Sequence, residues 1–506
     1  MESKASEIQQ TRVVSLSSIQ VDALVATLVS IAIFLLASTI PDIPSGYDAY
    51  RHVRMASRLV TEGFAEVMKD PWHVAYIWTK PVDPYVGFHV LLAPFTMVFE
   101  LITAIKLFGA IIIGTTAFVS LRILQHFEVE YRAAWLMIAV FGSGITLHRA
   151  TVSRPFVLGT LMVLTVTLLT LKNRPGWVAI ASAVHAACYS MFFLVAMGPG
   201  LWLLLRRDRA AFRLVLCCAF GIGVGLISNP YFPENLSYAL VNASATEIAT
   251  RAGVVVGGEL WPMPAGWFLA ASLAVALPWF AAIWLRVKTW TSVPFGEQRD
   301  ILLAVSLLAL AGSFRVGRTF EFFVPFATMY AAVQWTPWVK AHRRQALNLF
   351  YVAASLCVLN VLLSMESNRN SGQVARYRAV AAYLHEHDPK ELVINARWGD
   401  YYYLYFWNPT NQYFIGIEPT FTYLLAPEKY WTWRHLSDDK SIICSAQDCS
   451  GKTLVDPVSA VRDGLEAKYL LTQHILNPRL EASLDANPQA KAVFRDSFLT
   501  LYKFDR

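Results

Sequence analysis

Apolar runs long enough to cross a bilayer recur along nearly all of this chain before residue 366, and that repetition leaves few folds open. Clear runs begin near residues 22, 107, 132, 155, 176, 213, 267, 300, 319 and 347. A helical span needs about 20 mostly apolar residues, because a helix satisfies its own backbone groups in hydrocarbon. Only 16% of the 506 residues are charged and 55% are apolar, whereas a soluble domain has about 25% charged residues. The 16 Trp and 21 Tyr suit a protein with many membrane–water boundaries. A net charge of +7 then belongs to cytoplasmic loops, and no basic run marks a nucleic-acid module. The first run, Ala23 to Ile40, follows some twenty polar residues and lacks a small-x-small cleavage site, so it reads as a retained first span.

Two segments are ambiguous. Residues 86–104 (VGFHVLLAPFTMVFELITA) fit a span or an amphipathic helix at the outer surface, and residues 176–205, with MGPG at 197–200, suggest two short spans. If the first lies at the surface and the second folds as a hairpin, nearly every basic cluster falls on one side, from Arg122 and Arg132 to Arg343 and Arg344. The expectation is a polytopic α-helical membrane protein with about eleven transmembrane helices in residues 1–365, its N-terminus cytoplasmic. Residues 41–106 and 229–266 become outer loops. Residues 366–506 become an extracytoplasmic α/β domain: AVAAYLHEH reads as a helix, ELVINAR as a strand, AVRDGLEAKYLLTQ as helix then strand, and FLTLYKF as a last strand. Cys444 and Cys449 there are either two thiols or a local disulfide.

Charge is concentrated where the chain first leaves the membrane, in PSGYDAYRHVRMASRLVTEGF at 44–64. On a helix Asp48 shares one face with His52 and, less closely, Arg51. A carboxylate there serves as a general base toward a hydroxyl or as a ligand for a divalent cation, and Arg51 or His52 binds a phosphate. A solvated interfacial helix has the same pattern. Asp83 and His89, six apart at the next lipid boundary, join Asp48 as candidate metal ligands, although a lone His there is also an ordinary interfacial residue. In GSFRVGRTFEFF, Arg315 and Arg318 lie at a junction of spans as candidate phosphate binders, the other reading being an Arg318–Glu321 pair that closes a helix end. HRATVSRP adds His148, Arg149 and Arg154 on the outer side. Glu418, in an aromatic stretch, and Tyr401 to Tyr403 suit either a sugar or the core of the C-terminal domain.

Together these features resemble the GT-C superfamily of membrane glycosyltransferases, in layout the oligosaccharyltransferase catalytic subunits. GYDAYRHVRMASRLVTEG is similar to that superfamily's first-loop motif, which implies that Asp48 is the catalytic or metal-binding carboxylate, with Mg²⁺ or Mn²⁺ as the metal. AAYLHEHDPKELVINARWGDYYYLYF resembles the segment carrying a WWDYG-type motif, with Trp398 and Asp400 at the matching positions. NPYFPENLSYALVNASATEIATRAGVVVGGELWP resembles a substrate-gating loop whose acidic candidates are Glu247 and Glu259. Two departures stand out: HRATVSRP has no carboxylate where a DxE-type pair is expected, and Trp398 stands alone before Gly399. Both weigh against protein glycosylation. The resemblance implies an inverting transferase in the cytoplasmic membrane, moving a sugar from a polyprenyl-phosphate or diphosphate carrier to a cell-envelope glycan or glycolipid at the outer face. Protein glycosylation of the oligosaccharyltransferase kind is the closer alternative, and a lipid or polysaccharide transporter and an inactive scaffold are the others. Against the transporter, the charge lies at the outer boundary and no repeat is visible.

Overall fold

Ser17 opens the first helix, Ser18–Ala37, through a capping box in which Ser17 and Gln20 satisfy each other's backbone N–H groups. The computed structural model describes residues 17–44, 47–289, 296–369 and 373–505. The polar N-terminal residues and Gly46 of the first-loop motif lie outside the described residues. Among the described residues five helices are long and apolar enough to cross a membrane: Ser18–Ala37, Leu101–His126, Arg209–Ile227, Ala265–Lys288 and Arg343–Asn368. A sixth candidate is broken, Arg132–Phe141 meeting Gly144–Val152 at 77°. Shorter apolar helices, among them Pro155–Leu171 and Asp300–Ser313, fill the bundle between them. Helix Phe320–Ala341 runs through its centre, with Phe320, Phe323, Val324 and Phe326 fully buried. Lipid tails are as apolar as these side chains, so close backbone approach and dispersion hold the helices together. Gly221 and Gly225 show this, since a Cβ on either would drive into the carbonyl of Ala179 or Ala183 on the neighbouring helix.

Both ambiguous segments take definite forms. Val86–Val98 is a helix of 13 residues, about 20 Å long and short of the ~30 Å hydrocarbon core. The residues after it start the long helix at Leu101, earlier than expected. Residues 176–205 do divide into two pieces, but at Tyr189–Met191: Pro175–Cys188 ends there, and a 3₁₀ turn, Phe192–Ala196, leads into Met197–Arg206. MGPG thus begins a helix instead of breaking one. At the other end of the bundle buried Asp22 takes Arg132 at 3.3 Å and Arg122 at 3.4 Å.

The C-terminal region contains a five-stranded sheet of β1 (Leu392–Asn395), β2 (Gln412–Tyr413), β3 (Tyr469–Gln473), β4 (Ala490–Arg495) and β5 (Leu499–Phe504), in the order β2-β1-β3-β5-β4. β1 is parallel to β2 and β3, and β5 is antiparallel to β3 and β4. Tyr469, Leu470 and Leu471 are fully buried, as suits a strand covered on both faces. The strands expected in ELVINAR, AKYLLTQ and FLTLYKF are β1, β3 and β5, and AVAAYLHEH lies in helix Arg378–His387. The helix expected in AVRDGLEAKYLLTQ shrinks to the single turn Ala460–Gly464. Cys444 and Cys449 form a disulfide.

Two contacts join residues 73–75 to this sheet. Tyr413 N donates to His73 O at 2.9 Å, and Ala75 N donates to Tyr413 O at 2.9 Å, covering the β2 edge. Helix Tyr47–Thr61 lies against helix Asp400–Trp407, where Arg54 Nε donates to Phe406 O at 2.5 Å and Arg58 Nη1 to Tyr405 Oη at 2.9 Å. Arg54 and Arg58, four apart, therefore dock the C-terminal region. Asp48, Arg51 and His52 are left on the adjoining face.

Candidate active site

That face forms one wall of a cavity of about 410 Å³. The bend around Gly144–Pro155 brings His148, Arg149 and Arg154 to it, the loop at Gly257–Leu260 brings Glu259, and the C-terminal region brings Trp398, Tyr402 and Glu418. Arg318 enters from the turn between helices Asp300–Ser313 and Phe320–Ala341. Gly317 allows this approach: its N–H donates to Trp261 O at 3.0 Å, and an added Cβ would lie 2.9 Å from that oxygen.

Arginine dominates the electrostatics. Arg154 Nη2 pairs with Asp48 Oδ2 and also donates to Glu259 Oε1 at 3.1 Å, while its Nη1 donates to Glu259 Oε2 at 2.9 Å. Glu259 further receives Arg149 Nη1 at 2.7 Å and Arg318 Nη2. Arg149 Nε pairs with buried Glu321. Burial pushes the Asp48 carboxyl up, but the charges of Arg154 and Arg51 outweigh it and hold Asp48 below its ordinary value. Asp48 is thus ionised at neutral pH, with Oδ1 free of hydrogen bonds and 3.8 Å from Arg51 Nη2. Arg51 is buried over the rings of Trp72 and Tyr85, its centre 5.3 and 5.7 Å from theirs. Glu418 differs: burial pushes its carboxyl up to about 8, Gly257 N donating to one oxygen at 3.5 Å and the other oxygen having no partner.

Of the sequence candidates, Asp48, Arg51, His52, Glu259, Arg318, Trp398 and Glu418 all line the cavity. Arg315 does not: its side chain is 81% exposed, 3.9 Å from Glu247. Asp400 lies beneath the wall, accepting from Tyr377 Oη and Gln473 Nε2 at 2.7 Å each, and burial raises its carboxyl to about 7. The Arg318–Glu321 pairing gives way to Arg318–Glu259 and Arg149–Glu321. Asp83 and His89 bind each other, His89 Nδ1 at 2.7 Å from Asp83 Oδ2, and do not line the cavity beside Asp48. Arg149 and Arg154 were noted in the sequence only as outer-side charge. The missing DxE pair was the available signal, since arginines stand where carboxylates were expected.

A divalent cation does not fit this donor set. Mg²⁺ or Mn²⁺ needs several oxygens with free lone pairs, yet guanidinium groups take Asp48 Oδ2 and both oxygens of Glu259. Among the described residues, one group of three His, Cys, Asp or Glu side chains comes within ligating reach, His435 with Cys444 and Cys449, and both sulfurs are in the disulfide.

A second cavity of about 700 Å³ opens beside the first and shares His148, Arg149, Glu259 and Arg318 with it. Its remaining wall is apolar on one side, with Met263, Trp267, Ala270 and Ala271, while on the other Leu363 stands among Asn360, Ser364 and Ser367. The arginine cluster stands where this groove meets the polar cavity.

No family model matches the chain, and no curated protein matches it in sequence. Solved structures do match in fold. The oligosaccharyltransferase of Archaeoglobus fulgidus in its apo form has a TM-score of 0.59 at 10% identity, covering 97% of this chain and 74% of that one. Its complex with zinc and sulfate has a TM-score of 0.56 at 10% identity, over 92% of this chain and 69% of that one. ArnT from Cupriavidus metallidurans bound to undecaprenyl phosphate has a TM-score of 0.55 at 12% identity, over 96% and 98%. With its apolar helices and C-terminal sheet, the chain is an integral membrane protein that shares its fold with these structures.

Proposed function

We propose that this protein is an inverting glycosyltransferase that moves a sugar from a polyprenyl-phosphate or diphosphate carrier to a hydroxyl of a cell-envelope glycan or glycolipid. One observation carries the reading: Arg149 and Arg318 line both a mostly apolar groove between membrane helices and the cavity that holds Asp48. A polyprenyl chain belongs in the groove, its phosphate on the arginines and its sugar in the cavity, against Trp398 and Tyr402. The undecaprenyl phosphate bound to ArnT supports the same class of donor. The cavity lies on the side of the C-terminal sheet, and the positive-inside distribution supports an extracytoplasmic position for that side.

In the reaction the acceptor oxygen attacks the anomeric carbon and its proton passes to Asp48 Oδ1. The bond from that carbon to the phosphate oxygen breaks, its electron pair leaving with the phosphate. Arg149, Arg154 and Arg318 stabilise the charge that develops there, and fixed donors in a water-poor site do this without reorganising. Attack from the face opposite the departing phosphate inverts the configuration. Incubating the purified protein in nanodiscs with radiolabelled polyprenyl-phosphate sugars and extracted envelope glycans tests the reading. Labelled acceptor with inverted linkage is the expected product. Donor consumption with no acceptor dependence, or no turnover of any donor, contradicts it.

A further inference from the structure

The carboxylates of the cavity are joined by a side chain. Arg154 spans Asp48, on the first outer helix, and Glu259, on the loop across the cavity, with one nitrogen reaching both. Two carboxylates held by one central cation from two separate segments is the arrangement a divalent ion gives a metal site. Here the ion's position is filled by a group covalently attached to the chain. The surroundings agree. Arg51, Arg149, Arg154 and Arg318 face the cavity against the carboxylates Asp48, Glu259 and Glu418, and burial keeps Glu418 protonated up to about pH 8. The remaining charge is in excess positive, which favours an anion and repels a free cation.

We infer that Arg154 takes the place of a divalent cation in this site, so that the protein binds its lipid phosphate and transfers its sugar without a metal. This rests on the glycosyl-transfer reading above. A guanidinium suits the role because it is planar, permanently charged and able to contact a carboxylate and a phosphate at once. In the step, the electron pair of the broken carbon–oxygen bond moves onto the phosphate oxygen facing Arg154, and the acceptor's proton goes to Asp48. Arg154 donates hydrogen bonds throughout and gives up no proton, so its charge is present at every working pH.

Binding can be read without turnover, with undecaprenyl phosphate as the probe. The full-length protein in nanodiscs should contain less metal than protein by elemental analysis, and EDTA or added Mn²⁺ should leave its affinity for undecaprenyl phosphate unchanged within about twofold. Arg154→Gln should weaken that affinity about tenfold or more, with no rescue by Mn²⁺, and Arg154→Lys should recover part of it. A stoichiometric metal in the wild-type protein whose removal abolishes binding overturns the inference, and so does wild-type affinity in Arg154→Gln. Arg154→Lys covers the case in which the Gln variant misfolds, since it keeps the charge. Failure of the wild-type protein to bind the probe under every metal condition strikes the glycosyl-transfer reading itself. Metal-dependent binding strikes the role of Arg154 alone.

Discussion

His52 Nδ1 lies 2.8 Å from His89 Nε2, and both rings are buried at the base of the cavity wall. The protons on this pair are fixed by what flanks it. Arg51 Nη2 lies 3.2 Å from His52 Nε2 and can only donate, so His52 accepts there and carries its proton on Nδ1. His52 then donates to His89, and His89 donates through Nδ1 to Asp83. Burial first, and the Arg51 charge next, lower the His52 pKa well below its ordinary value, so the ring is neutral through the physiological range. The chain of bonds positions Arg51. It leaves His52 without a free nitrogen for a metal or a proton transfer.

Replacing His89 by Ala breaks this chain in the middle. It leaves His52 and Asp83 buried without their partner, and the loss of stability should be about 2–4 kcal/mol. Transfer by the folded fraction should fall about tenfold, because His52 loses the partner that holds its ring and tautomer, and Arg51 is oriented by that ring. Thermal unfolding together with steady-state transfer checks both. The wild-type rate should show no inflection assignable to His52 between pH 5.5 and 7.5, about a unit either side of an ordinary imidazole.

Glu418 and Asp400 give stability a definite dependence on pH. Their ordinary values are 4.5 and 3.8, and burial raises them to about 8 and about 7 in the folded chain. Below the ordinary values both states hold the protons and the contribution to stability is fully present. As pH rises, the unfolded chain releases protons that the folded chain retains, so stability falls until the folded groups ionise near 7 and 8. The slope is roughly 1.4 kcal/mol per pH unit for each group. Melting temperature should decline from pH 5 to pH 8 in the wild type, and less steeply in Glu418→Gln and in Asp400→Asn.

The apolar groove gives a prediction about substrate length. Ala271 lines the groove from helix Ala265–Lys288 and does not line the cavity, so Ala271→Trp should obstruct a polyprenyl chain and leave the cavity intact. KM for a long-chain donor should rise about tenfold, with little change for a donor carrying a chain of two isoprene units. Competition assays with the two donors separate this from a general loss of activity.

How far the sequence revealed this site depends on how local each feature is. Asp48, Arg51 and His52 were legible because helical spacing alone puts them on one face. Arg315 and Arg318 were not separable, three residues apart beside a span, and only the turn at Gly317 turns one inward. Arg149 and Arg154 were visible as outer charge, but their place in the cavity depends on the 77° break before Gly144; Gly142, Ser143 and Gly144 mark a break there, and no local pattern gives its angle. The His52–His89 contact crosses 37 positions and left no periodicity to read. In the sheet, β1, β3 and β5 are apolar runs and were evident. β2 is two residues long, and β4 is a mostly exposed edge with a register shift between Ala492 and Phe494, so neither has the alternation that marks a strand.

In the proposed reaction Asp48 takes the acceptor's proton, and Asp48→Asn keeps the shape of the side chain while removing its charge. Sugar transfer from a radiolabelled polyprenyl-phosphate donor, measured beside undecaprenyl-phosphate binding in the same nanodiscs, tests it most directly. Transfer should fall by about 10²–10⁴-fold, while binding stays within a few-fold of wild type because the arginine cluster remains. An Asp48→Asn protein that transfers as fast as the wild type would contradict it.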